Sequence, residues 1–69
     1  MFTIDRIDPR AQALEEWRDA EQLVSTWWDA FVQADPESRR FAFASYVAAL
    51  DAEEAASLAL WALSTRLAA

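Results

Sequence analysis

Along residues 9–34 apolar side chains return every three or four positions, the step of a helix that buries one side. Plotted at about 100° per residue, Ala13, Trp17, Ala20, Val24, Trp28 and Phe31 fall in one stripe, with Leu14 and Val32 beside it. Leu23, Trp27, Ala30 and Ala34 form a second stripe on the other side. Glu15, Asp19, Gln22, Thr26, Asp29 and Gln33 share the opposite face. The apolar arc spans roughly 200°, wider than a helix needs to sit on one neighbour. Residues 25–31, Ser-Thr-Trp-Trp-Asp-Ala-Phe, state the problem most sharply. Adjacent tryptophans point about 100° apart on a helix, so one narrow stripe cannot bury both.

Helix starts are marked by aspartate. Asp8 precedes Pro9 and Asp35 precedes Pro36. In each pair Asp can accept the free N–H groups of the first turn, and Pro loses nothing at the first helical position. Asp51-Ala-Glu-Glu54 resembles a third start, a capping box without Gly or Pro. Phe43, Val47 and Leu50 line one stripe, and its continuation meets Glu54 before Leu58 and Trp61. A charge in the seam favours a break there. The expected fold is therefore all-α, a small three-helix bundle with helices starting near Pro9, Pro36 and Asp51. The alternative is a two-helix hairpin that forms a four-helix bundle as a dimer. Residues 1–8 read as an N-terminal arm, in which Phe2, Ile4 and Ile7 alternate with polar residues, and residues 9–69 as a single helical domain.

The last segment is apolar nearly all round. Ala56, Leu60, Leu63 and Leu67 make a heptad-like stripe, Leu58 and Trp61 point elsewhere, and Glu53, Ser57 and Ser64 leave only a narrow polar strip. A helix of that kind must be covered on most sides. A bundle of this size cannot surround one of its own helices. Leu23, Trp27, Leu58, Leu60, Trp61, Leu63 and Leu67 are accordingly expected at an interface, with a second copy in a homodimer and with a larger protein partner docking on the same surfaces.

Composition points the same way. A chain of 69 residues buries too little surface to be very stable alone and commonly leans on disulfides, a metal or oligomerisation. There is no Cys and no His, so disulfides, thiolate metal sites and the commonest general base are excluded. Gly is absent too, which removes phosphate-cradling and dinucleotide motifs. Oligomerisation is the support that remains.

The net charge of −6 argues against nucleic acid and anionic membranes as partners. All six basic residues are Arg, a composition that associates with a GC-rich bacterial genome. The N-terminus lacks the pattern of a secretory signal. The longest apolar run, residues 58–63, falls far short of the roughly 20 residues that span a bilayer. A soluble cytoplasmic protein is expected.

Candidate chemistry is sparse. Glu15, Glu16 and Asp19 cluster, but on the polar face of the first helix, as solvated carboxylates do. Ser25, Ser38, Ser45, Ser57 and Ser64 have no base to activate them. No catalytic residue, cofactor site or metal site is expected. Arg39 and Arg40 break a local rule, since cations oppose the dipole at a helix start. Pairing of Arg39 with Asp35, and with Asp29 or Glu37 nearby, would explain them, and a small basic spot for an acidic partner or a phosphate backbone is the functional reading. Two expectations follow: a non-enzymatic helical interaction module that self-associates, or an acidic inhibitor or nucleic-acid mimic that occupies a basic groove.

Overall fold

The computed structural model describes residues 8–68, with side chains through Thr65. Two helices, α1 (Pro9–Gln33) and α2 (Pro36–Ala68), form a hairpin. Asp8 caps α1: its Oδ1 accepts from the Arg10 N–H at 3.0 Å, with Pro9 in the first turn. Asp35 caps α2 in the same manner, its Oδ1 accepting from the Ser38 N–H at 3.0 Å. Between them Ala34 is extended, at φ −70° and ψ 143°. The chain reverses without any positive φ among the described residues, so the reversal does not call for glycine. Replacing Asp35 with Ala is expected to lower stability by about 0.5–2 kcal/mol through the lost cap, read as a shift in the urea midpoint. An unchanged midpoint would mean the Asp35 bond contributes nothing.

The expected three-helix bundle is overturned: α2 runs unbroken from Pro36 through Asp51 to Ala68. The physical reason lies in which residues form the seam. Ala13 and Ala20 on α1 and Ala42 and Ala49 on α2 are the buried residues among those described. Around them Trp17, Val24, Trp27 and Phe31 on α1 with Ala34 just past its end, and Tyr46, Glu53, Ala56, Leu60 and Leu63 on α2, are half-buried. Both sets advance by alternating steps of three and four. That is the seven-residue repeat of helices wound about each other. Glu54 is not in this seam. It lies one position beyond it, exposed to water, so it gives α2 no cause to break. With no Gly or Pro after Pro36, nothing else does.

Alanine at 13 and 20 on α1 and at 42, 49 and 56 on α2, seven residues apart, sets small side chains where the two helices meet. The consequence is a thin core. The molecule is 12 Å across its smallest dimension, a single layer of helix, and 50 Å along its longest. Four buried methyl groups supply only about 3 kcal/mol at roughly 0.8 kcal/mol each. None of the large apolar side chains described is fully buried. Of the expected arm, residues 1–8, only the capping Asp8 is described; residues 1–7 lie outside the described residues, as does the Leu67 side chain.

Candidate functional site

The hairpin has two broad faces, and the seam defines them. Residues one step after a seam position lie on one face, and residues one step before lie on the other. Aromatic contacts fix how the helices share these faces. Trp28 meets Tyr46 with ring centroids 5.1 Å apart, and Phe31 meets Phe43 at 5.5 Å. On the reverse side Trp27 meets Phe41 edge-on at 5.7 Å. The adjacent tryptophans therefore part company: Trp27 goes to one face and Trp28 to the other.

The two faces differ in what they leave in water. Nine large apolar side chains are exposed among the described residues: Leu23, Trp28, Val32, Phe41, Phe43, Val47, Leu50, Leu58 and Trp61. Trp28 and Val32 follow the α1 seam by one residue, and Phe43, Val47, Leu50 and Trp61 follow the α2 seam by one. These six share the Trp28 face. Of the large apolar side chains described, the reverse face exposes only Leu23 and Phe41, the rest of its α2 flank being Ser45 and alanine at 48, 52, 55, 59 and 62. Leu58 sits on the outward edge of α2. The apolar surface is thus concentrated on one side, beside a continuous cluster of Trp28, Phe31, Phe43 and Tyr46.

The residues expected at an interface do not form one patch. Leu23 and Trp27 belong to the reverse face, Leu23 half exposed and Trp27 packed on Phe41. Leu60 and Leu63 are half-buried in the seam. Trp61, at 67% exposure, lies on the Trp28 face, with Leu58 at its edge. Trp28, Phe43, Val47 and Leu50 were not among the expected interface residues. The signal that would have found them is alanine recurring at intervals of seven, at 13 and 20 and again at 42, 49 and 56, which locates the seam and so the flanks.

Polar chemistry serves the fold. The Trp17 indole Nε1–H donates to the Glu53 Oε2 at 2.7 Å, satisfying the one carboxylate that stands in the seam. Hydrogen bonds to charged acceptors contribute about 1.5–3 kcal/mol when shielded. Glu53 is only half-buried, so Glu53→Ala is expected to cost about 1 kcal/mol in urea unfolding. No loss would show that the bond is replaced by water at no cost. Arg39 donates from Nη2 to the Ala34 carbonyl oxygen at 3.3 Å. It thereby serves the carboxyl end of α1, where a cation is favourable, and this, not an Asp35 pair, is the contact the structure gives it. Arg40 is exposed.

At the open end a depression of about 230 Å³ is lined by Asp8, Arg10, Ala11, Leu14, Leu60 and Ser64. It lies below the roughly 300–1,000 Å³ of small-molecule sites, and Arg10 Nε within it already donates to Ser64 Oγ at 3.2 Å. Among the described residues no three acidic side chains converge as metal ligands would. No helix there is long and apolar enough to cross a membrane. Compared with protein-family models, with curated proteins and with solved structures, the chain has no match.

Proposed function

We propose that this chain is a non-enzymatic helical interaction module that self-associates, most simply as a dimer, and that docks a larger protein through what the dimer leaves exposed. One observation carries the proposal: among the described residues the hairpin buries no side chain larger than alanine while nine large apolar ones remain in water. Exposed apolar surface of that extent on a small protein marks an interaction site. A two-helix hairpin whose buried core is four alanines also needs a support outside itself. The acidic residues do not form a dense array. Glu15, Glu16 and Asp19 lie on α1, and Glu53 is turned into the seam. Apolar association is therefore favoured over a charge-driven mimic.

Thermal unfolding at two chain concentrations tests the proposal. When association and folding are coupled, stability includes the association term. Dilution from about 100 µM to about 1 µM is expected to lower Tm by several degrees, and 1 M NaCl is expected to leave that dependence in place, since salt screens charge and not apolar contact. A Tm indifferent to concentration, or a dependence abolished by salt, would contradict it.

A further inference from the structure

We infer that the occupant of the Trp28 face is a second copy of this chain, related by a two-fold axis running along the helices, so that α1 of each copy lies on α2 of the other. The inference rests on the self-association proposed above and names its surface and its symmetry.

Area is the first support. Trp28, Val32, Phe43, Val47, Leu50 and Trp61 are between 38% and 67% exposed. With about 150–250 Å² per aromatic side chain and somewhat less per aliphatic one, they offer roughly 600 Å². Half-buried Phe31 and Tyr46, in contact with Trp28 and Phe43, add to it. The total approaches the ~800 Å² that each partner contributes to a stable interface. The reverse face, with Leu23 and Phe41 among alanines, falls well short.

Charge is the second support, and it selects the axis. Trp17 and Glu53 touch across the seam at 2.7 Å and so stand at the same height. The next residues, Arg18 and Glu54, are both exposed and flank the Trp28 face at that height. A two-fold interface must match its own surface. An axis along the helices preserves height and sets α1 on α2, so Arg18 of each copy approaches Glu54 of the other. By the same operation Trp28 of one copy lies over the aromatic pair Phe43 and Tyr46 of the other, since the Trp28–Tyr46 and Phe31–Phe43 contacts hold the four side chains at neighbouring levels. An axis across the helices would lay α1 on α1 and lose both matches.

The chain has no cysteine, which allows a clean test with two surface variants. Ser25 and Thr26 are both exposed and adjacent, yet Ser25 follows a seam position and Thr26 precedes one. Ser25→Cys and Thr26→Cys are labelled with a thiol reagent at about 1 µM and about 100 µM, with the mass measured alongside. A dimeric mass with the Ser25→Cys thiol slowed about tenfold at high concentration, and the Thr26→Cys thiol unchanged, is the expected result. A dimeric mass with Thr26→Cys protected, or with neither or both protected, would overturn the assignment of the face. A monomeric mass for the unsubstituted chain would instead remove the self-association on which it rests. Arg18→Glu is expected to weaken association several-fold, and the charge swap Arg18→Glu with Glu54→Arg to restore it. Failure of the swap to restore it would overturn the axis.

Discussion

Ala20→Leu is expected to destabilise the protein by about 2 kcal/mol, and Ala49→Leu by a similar amount, as overpacked interior sites do. Both alanines lie between the helices, at 8% and 7% exposure. Two helices that meet through methyl groups leave no room for three further carbons. The backbones must separate, and Trp17, Val24 and Tyr46 lose the contacts that half-bury them. The control is Ala52→Leu, on the exposed flank of α2, where a surface change stays within about 0.5 kcal/mol. Urea unfolding at fixed concentration measures all three. Equal effects at Ala20 and Ala52 would show that the helices do not close along the alanine seam.

A charge placed on the Trp28 face is expected to act in a different currency. At concentrations where they still associate, Leu50→Glu and Trp61→Glu should keep the helical content of the chain, because both side chains already reach water within one hairpin, at 38% and 67% exposure. In the dimer each would be buried twice by symmetry without a partner, at several kcal/mol. At 1.4 kcal/mol per tenfold, that raises the dissociation constant by two orders of magnitude or more. Thr26→Glu, on the reverse face, should change it little. Circular dichroism and sedimentation velocity separate the two effects. Loss of helix in Leu50→Glu without loss of association would place Leu50 in the core of a single chain.

The caps were legible because their chemistry is local. An Asp-Pro pair specifies a helix start with no help from the rest of the chain, and α1 and α2 begin at Pro9 and Pro36 as those pairs predict. Asp51-Ala-Glu-Glu54 shows the limit of the same logic. The residue types of a capping box are also acceptable on the surface of a continuous helix, and only the partner helix decides. The seam of α2 was misplaced by one residue. Phe43, Val47 and Leu50 dominate any count of hydrophobicity, but the side chains that meet α1 are the small ones beside them, Ala42 and Ala49. Close approach needs small side chains, so the large residues were displaced to the flank. That displacement carries over to the candidate site. The second tryptophan of residues 25–31 was bound to need a second neighbour, and the stripe holding Leu23 and Trp27 was the natural place to look for an interface. In the structure Trp27 finds Phe41 within the chain, while Trp28 opens onto the larger apolar face. The Trp17–Glu53 bond joins residues 36 positions apart, and nothing local in the sequence announces it.

The most direct measurement is the mass of the unsubstituted chain by sedimentation equilibrium at about 100 µM and about 1 µM. A chain of 7.8 kDa whose apolar face is covered by a second copy should sediment at twice its mass at the higher concentration and shift toward the single mass on dilution. A mass of 7.8 kDa at 100 µM, with the helices intact, would show that a seam of four alanines is enough and that the Trp28 face has no copy of itself to meet.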